Sequence, residues 1–149
     1  MYQQIVIAID ASDLAHMALE HGLALTKPTG AKTMVVTITD SSVMLLSGGE
    51  MAQINTASLV EDMDKAKAEG SRRLLDKATA TAAAAGVTIS TLHVKDRETA
   101  DGILEAATTN GADLIVMGSH GRRGLEQLLL GSQAAEVLSR SAIPVLIVK

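Results

Sequence analysis

Short apolar runs alternate along this chain with longer segments whose apolar residues recur every three or four positions. The runs are rich in β-branched residues, and the first of them, IVIAID at 5–10, is apolar up to its final Asp, which is typical of a strand buried on both faces of a parallel sheet. The longer segments have the spacing of one apolar helix face. The runs predict five strands, at 5–10, 33–39, 87–94, 113–118 and 144–149.

The segment after the first strand predicts an amphipathic helix. Its apolar residues keep helical spacing over 14–25, and Ser12 or Asp13 could cap its N-terminus. The Lys-Pro pair at 27–28 and Gly30 are expected to end it, because neither proline nor glycine continues a helix well.

Later segments predict further helices, and one long segment predicts none. Gly86 and Gly111 stand where helices are expected to end, since glycine favours the left-handed conformation found there. Segment 41–58 is weakly patterned, and structureless loops of this length are uncommon in compact domains unless they are functional or disordered. The predicted helices are 59–85, 99–110 and 132–139, with a short helical turn at 125–130.

Strands and helices therefore alternate within one domain of residues 1–149. This order predicts a single doubly wound, Rossmann-like α/β fold, a five-stranded parallel sheet with helices on both faces and right-handed crossovers. Ligands of such sheets bind beyond the carboxyl ends of the strands, near the point where the strand order reverses. The expected site lies at the ends of the first, second and fourth strands, at Asp10, 38–40 and Gly118.

Composition narrows the classes of function. Because the chain has one Tyr, no Phe or Trp and a net charge of -4, neither base stacking nor a basic surface for nucleic acid is expected. The absence of cysteine excludes disulfides, thiol catalysis and Cys-based metal sites. The first ten residues do not have the pattern of a signal peptide, and no apolar run approaches the roughly 20 residues of a membrane span. We therefore expect a cytoplasmic protein with no membrane partner.

A glycine pattern follows the fourth strand. Gly118, Gly121, Gly131 and Ser132 form the spacing G-x2-G-x9-G-S. Glycine lets a ligand approach the backbone N–H closely, and Ser132 opens a predicted helix whose free N–H groups favour an anion. A phosphate chain could run from Gly118 to the start of that helix. Each glycine alone is better explained by a turn or a helix start, and the combined spacing leaves both interpretations open.

Two arginines stand inside this pattern. Arg122 and Arg123 could meet terminal phosphates, since guanidinium matches phosphate geometry, or they could be solvated loop residues. The pattern is not a Walker loop, because no lysine follows Gly131, and G-x-G-x-x-G is absent.

Through this glycine pattern, the residues that flank it and the two ends of the sequence, the chain resembles the nucleotide-binding branch of the universal stress protein family. The resemblance spans nearly the whole chain and rests on IVIAID at 5–10, ADLIVMGSHGRRGLEQLLLGS at 112–132 and SAIPVLIVK at 141–149. The family signature G-x2-G-x9-G-[ST] is filled completely. The resemblance implies an α/β domain that binds an adenine nucleotide, usually ATP, and usually forms a dimer.

The resemblance also implies roles for residues of this chain. It places Gly118 and Asp10 by the nucleoside and the backbone near Ile38 against the adenine edge. Independently, a carboxylate such as Asp10 at the end of a strand could accept a ribose hydroxyl or cap the next helix. Where the family often has Gly-Ser after this aspartate, the chain has a residue less tolerant of positive φ, Ala11. The residues implied to hold the phosphates are Gly121, Gly131 and Ser132.

The histidines are weaker candidates. His120 lies inside the glycine loop and could touch a phosphate or act as a base, but no partner carboxylate accompanies it in sequence. His16, Glu20 and His21 do not have the spacing of a zinc site, and a surface role explains them better. His93 falls in a predicted strand and is expected to be a packed side chain.

Three functions of different classes follow. The first is a regulatory module that binds ATP, AMP or another adenine nucleotide, with Mg²⁺ on the phosphates, and is read by an unidentified protein partner. The others are a slow ATP hydrolase or phosphotransferase, and a partner-binding protein whose nucleotide site is idle. The lack of an evident catalytic set favours the first. The apolar C-terminal strand at 144–149 is expected to pair with its copy in a homodimer.

Overall fold

Parallel strands alternate with helices in the computed structural model, which describes residues 1–43, 56–121 and 130–149. Arg122, Arg123, most of the predicted loop 41–58 and all but Leu130 of the predicted turn 125–130 lie outside these residues. The elements are β1 (Gln4–Ala8), α1 (Asp13–Thr29), β2 (Lys32–Ile38), α2 (Thr56–Ala84), β3 (Ser90–Val94), α3 (Thr99–Thr109), β4 (Leu114–Gly118), α4 (Ser132–Arg140) and β5 (Val145–Val148).

The strands form one sheet in the order β3-β2-β1-β4-β5, and every neighbouring pair is parallel. Because strand side chains alternate between faces, Ile5 and Ile7 pack towards α1 and α2, whereas Val6 and Ala8 pack towards α3 and α4. The doubly wound α/β prediction is therefore confirmed. In the described part of the chain, no helix is long and apolar enough to cross a membrane.

Glycines end the helices where the sequence predicted. Gly30, Gly86 and Gly111 have φ angles of 66°, 74° and 62°, in the left-handed region that glycine tolerates best. After α2, the N–H of Val87 donates to the carbonyl of Ala82 at 2.9 Å. Val87 thus completes the helix end, which is why β3 begins at Ser90 and not at the predicted position 87.

The first helix continues through Pro28, so the prediction that the Lys-Pro pair ends it was wrong. In the last turn, a proline removes only one hydrogen bond to a carbonyl four residues back, and little helix remains to be disturbed. The end is set by Gly30, whose N–H donates to the Thr26 carbonyl at 2.9 Å.

Gly22 of α1 lies against Ile7 of β1 and leaves no room for a side chain. A Cβ there would overlap Ile7 Cδ1 and lie 2.7 Å from its Cγ1, and Ile7 is fully buried. We expect Gly22→Ala to lower the free energy of unfolding in urea by about 1–3 kcal/mol, because the core must shift.

Gly70→Ala in α2 is the matched control, because nothing lies within 4 Å of the added Cβ. It should stabilise the protein by up to about 1 kcal/mol through helix propensity. A Gly22→Ala protein as stable as the Gly70→Ala protein would contradict the proposed close packing of α1 on β1.

Candidate functional site

The strand order reverses between β1 and β4, as the doubly wound topology predicted. β1 pairs with β2 on one side and with β4 on the other, and Ala8 lies opposite Val36 and Met117. The chain segments that leave these three strands therefore start side by side at the carboxyl edge of the sheet. In this fold class, that edge is where ligands bind.

Asp10 stands at the start of the segment that connects β1 to α1. Its Oδ1 accepts a hydrogen bond from the N–H of Ser12 at 2.9 Å. The cap of α1 is Ser12 itself, whose Oγ accepts from the N–H of Ala15 at 3.2 Å. Asp10 thus shapes the turn without capping the helix. The turn does not need a glycine at Ala11, since among the described non-glycine residues the positive φ occurs at Asp96.

Gly121 lies directly against Asp10. A Cβ at Gly121 would be 2.7 Å from Asp10 Oδ2, closer than carbon and oxygen pack. The structure therefore brings the aspartate of the first strand and the second glycine of the signature together, although they stand near opposite ends of the sequence.

The other two signature glycines also lie close to neighbouring atoms. Gly118 is buried, and its Cβ would lie 3.1 Å from Leu14 Cβ and 3.2 Å from the Leu14 carbonyl oxygen, so the first turn of α1 rests on the end of β4. Gly131 donates its N–H to the carbonyl of Ser119 at 2.7 Å, and a Cβ there would be 2.8 Å from that same oxygen. This hydrogen bond joins the two ends of the glycine loop.

Ser132 opens α4, as predicted, and is exposed at the carboxyl edge. The N-cap residue Gly131 gives the helix no side-chain cap. The next residue, Gln133, turns its Oε1 towards α3 and accepts the N–H of Ala100 at 2.9 Å. The N-cap of α3, Glu98, makes no side-chain cap bond of its own, so Gln133 supplies one from another helix. No sequence motif marked this contact.

Arg140 at the other end of α4 reaches the same helix. Its Nη1 lies 2.7 Å from Asp101 Oδ1 and 2.6 Å from Glu136 Oε1. Hydrogen bonds to Asp101 and Glu136 raise the pKa of the Arg140 guanidinium above its usual range. α4 is therefore fixed to the first turn of α3 by residues at both of its ends.

His120 packs beside the loop closure. Its Nδ1 lies 2.9 Å from the Oγ of buried Ser119. Its Nε2 is buried and has no hydrogen-bond partner in the described part of the chain. His120 thus lies in the glycine loop, as predicted, and its role as a phosphate contact stays a prediction.

The end of β2 forms the other side of the edge. The Val36 carbonyl accepts the N–H of Ile9 at 2.9 Å, towards β1, and the N–H of Thr39 donates to Val94 at 2.9 Å, towards β3. Because backbone groups alternate along a strand, those of Ile38 face the β1 side, beyond the last residue of β1. The Ile38 side chain packs on α3, where a Cβ on Gly102 would be 2.7 Å from Ile38 Cγ2.

A polar cluster lies at this strand end, on the face of the sheet that packs against α2. His93 Nε2 is 2.8 Å from Thr39 Oγ1 and 3.2 Å from Ser71 Oγ of α2. One helical turn earlier, Lys67 Nζ donates to the Asp40 carbonyl at 2.7 Å and to its Oδ1 at 3.0 Å. Sequence reasoning expected His93 only as a packed side chain. The partners on α2 could not be placed from the sequence.

The candidate zinc ligands do not assemble into a site. His16 Nε2 lies 3.5 Å from Glu20 Oε1 in an exposed pair, and His21 donates from Nδ1 to the Met17 carbonyl at 2.9 Å. Within the residues that the structure describes, no group of three or more His, Cys, Asp or Glu side chains could hold a metal ion.

Known proteins resemble this chain over its whole length. The model of the universal stress protein family matches residues 1–149. The chain belongs to this family. A relative, universal stress protein MJ0531 of Methanocaldococcus jannaschii, is 34% identical over 149 residues, which are 100% of this chain and 83% of the relative.

Two similar solved structures of the family contain adenine nucleotides. One is a universal stress protein in complex with cAMP, with a TM-score of 0.69 and 27% identity, covering 99% of this chain and 97% of that one. The other is the universal stress protein of Archaeoglobus fulgidus in complex with dAMP, with a TM-score of 0.66 and 25% identity, covering 99% and 98%.

The polar cluster at His93 makes stability depend on pH. Burial lowers the pKa of the His93 imidazole below its usual 6.5, Lys95 lowers it further, and Asp96 partly opposes them. The folded state binds a proton at His93 less readily than the unfolded state does. The contribution of neutral His93 to the free energy of unfolding is therefore fully present above pH 6.5 and is lost as the pH falls through the lowered pKa of the folded state.

We therefore expect His93→Gln, which keeps an acceptor but does not titrate, to lose less stability than wild type between pH 7.5 and pH 5. Urea unfolding at the two pH values measures this difference. His16→Gln, at an exposed histidine of α1, is the control for removing one imidazole. Equal pH dependence in wild type and His93→Gln would contradict the prediction.

Proposed function

We propose that this universal stress protein is a cytoplasmic regulator that binds an adenine nucleotide, foremost ATP, at the carboxyl edge of β1, β2 and β4. Asp10 and Gly118 would lie by the ribose, and the backbone near Ile38 would meet the adenine edge. The phosphates, with Mg²⁺ bound to them, would lie along the loop that ends in α4. The residues proposed to hold them are Gly121, Arg122, Gly131 and Ser132.

One observation carries this proposal, the convergence of the signature on a single narrow edge. Gly121 approaches Asp10, and Gly131 approaches Ser119, so closely that a Cβ at either glycine would overlap an oxygen. Glycines at these close approaches put no side chain between the backbone and a ligand, which suits an anionic phosphate chain. Next to it, α4 begins at a glycine N-cap that makes no side-chain cap bond, and the first N–H groups of a helix are suited to a phosphate.

The similar structures with cAMP and dAMP support an adenine nucleoside as the common part of the ligand. The choice of ATP rests on the length of the glycine loop and on the resemblance of the signature. A regulatory role requires that the nucleotide binds one state of the protein more tightly than another. The helices that begin at this edge are the elements proposed to differ in position between the two states.

Calorimetric titration with ATP and Mg²⁺ tests the proposal. Wild type should bind ATP saturably. Gly131→Trp should not bind ATP, because the indole would occupy the space beside the Ser119 carbonyl. Gly131→Ala should weaken binding at least about tenfold, because the loop closure must open to admit the Cβ. Gly70→Ala is the control and should bind like wild type.

Two outcomes would change the assignment. Absence of saturable binding of ATP, AMP and cAMP to wild type would overturn nucleotide binding. Multiple-turnover hydrolysis of ATP well above buffer, lost in Gly131→Trp, would assign an enzyme in place of a regulator.

We also propose a homodimer formed by the β5 edges of two chains. β5 lies at one end of the sheet order, and the carbonyls of Pro144 and Val148 accept hydrogen bonds from Ile115 of β4 and from Ser119 just after it. The backbone groups of the residues between them alternate, so those of Val145 and Ile147 face away from the sheet. An apolar strand with outward N–H and C=O groups is suited to pairing with a second copy.

Light scattering should therefore give twice the 15.5 kDa chain mass at micromolar concentration. Ile147→Pro removes an outward N–H and should shift the mass towards one chain, whereas Ile147→Val keeps the N–H and should leave the dimer intact. A single-chain mass for wild type would contradict the proposed dimer.

A further inference from the structure

Two side-chain hydroxyls meet on one imidazole nitrogen behind the end of β2. Thr39 Oγ1 lies 2.8 Å and Ser71 Oγ 3.2 Å from His93 Nε2. Ser71 is 5% exposed, and His93 is half-buried. With the ring proton on Nδ1, the single lone pair of Nε2 is shared by the two hydroxyls as donors. We call this set of three side chains the hydroxyl–imidazole junction.

The junction joins three elements at one residue. Thr39 also donates its backbone N–H to the Val94 carbonyl at 2.9 Å and accepts the N–H of Arg97 at its own carbonyl at 3.2 Å. The backbone and side chain of Thr39 are thus held by β3 and the segment after it. Through His93, Ser71 extends this hold to α2.

The next residue is held by α2 as well. Lys67, four positions before Ser71 on the same helix face, donates to the carbonyl and carboxylate of Asp40. The Lys67 side chain is 23% exposed and the Asp40 side chain 56%, so the ion pair is screened by solvent and the contact acts through its two hydrogen bonds. Two successive residues after β2 are therefore fixed by one face of α2.

These contacts bear directly on Ile38, whose backbone groups face the β1 side of the edge. Ile38 immediately precedes Thr39, and its side chain packs on the opposite face of the sheet, against Gly102. The position of the Ile38 backbone is thus set from one face by α3 and from the other by the junction and Lys67. A shift of Thr39 therefore moves both backbone groups of Ile38, its N–H and its carbonyl.

We infer that the hydroxyl–imidazole junction positions the end of β2 for recognition of the purine base, and so determines selectivity for adenine over 6-oxopurines. The inference rests on the proposed nucleotide site. A hydrogen bond between the base edge and the backbone at Ile38 discriminates an amino group from an oxo group only if the backbone groups are held in place. Thr39, His93 and Ser71 are positioning residues, since none is placed against the base itself.

Titration with ATP and with inosine triphosphate tests the inference. Inosine reverses the donor and acceptor at the base edge and keeps the ribose and phosphates unchanged. Wild type should prefer ATP. Thr39→Val and Ser71→Ala should each weaken ATP binding about three- to tenfold and change inosine triphosphate binding less than about twofold. Thr39→Ser keeps the hydroxyl and should restore the preference.

Ser90→Ala is the matched control, because it removes a hydroxyl from the amino end of the same strand β3. It should leave both affinities unchanged. Equal loss of affinity for the two nucleotides in Thr39→Val or Ser71→Ala would indicate general destabilisation and overturn the inference. The inference would also be overturned if these variants kept the wild-type ratio of affinities for ATP and inosine triphosphate, or if wild type showed no preference for ATP. Failure of wild type to bind ATP would instead overturn the proposed site, and the inference with it.

Discussion

The pairing of β1 with both β2 and β4 is the constraint on which the rest of the structure depends. It places the first strand at the centre of the sheet and brings the last third of the chain beside the first. At the amino end of this pairing, the Asp113 carboxylate accepts the N–H groups of Gln3 and Gln4 at 2.7 and 3.0 Å, and these bonds lower its pKa. At the carboxyl end, the same register sets Asp10 against Gly121. The candidate site exists because the strand order reverses between these two strands.

Six of the described glycines fall into two groups with separate physical purposes. Those at the helix ends, Gly30, Gly86 and Gly111, have positive φ angles and open space around them. Such positions are limited by the backbone dihedral, and asparagine can also adopt it. Gly118, Gly121 and Gly131 are limited by space, because each would place a Cβ within 3.1 Å of another atom. A larger residue would force neighbouring atoms to move, least at Gly118, so these glycines reflect close packing in addition to any ligand.

The sequence predicted the parts of the fold that depend on local pattern. Short runs rich in apolar and β-branched residues identified all five strands, and Gly86 and Gly111 marked the ends of α2 and α3. Local pattern misled at Pro28, since the effect of proline depends on how much helix follows it. The predicted start of β3 at Val87 was also wrong, because an apolar residue can complete the end of a helix and still be buried in the core.

The parts of the site that were missed depend on packing between distant elements. Gln133 caps α3 across a helix interface, and Ser71 reaches His93 from another layer. Both are ordinary polar residues on helices, with no spacing that distinguishes them from solvated ones. Alternation along β3 could have placed His93 on the face of α2. It could not have shown which turn of a 29-residue helix lies opposite.

The two sides of the proposed nucleotide site rest on different helices. On the phosphate side, α4 begins at Ser132 and is fixed to α3 through Gln133 and Arg140. On the base side, the segment after β2 is fixed to α2 on the opposite face of the sheet. A nucleotide that spans both sides would therefore couple the two helical layers across the sheet. A ligand that lacks the base or the terminal phosphates would engage only one of the two layers.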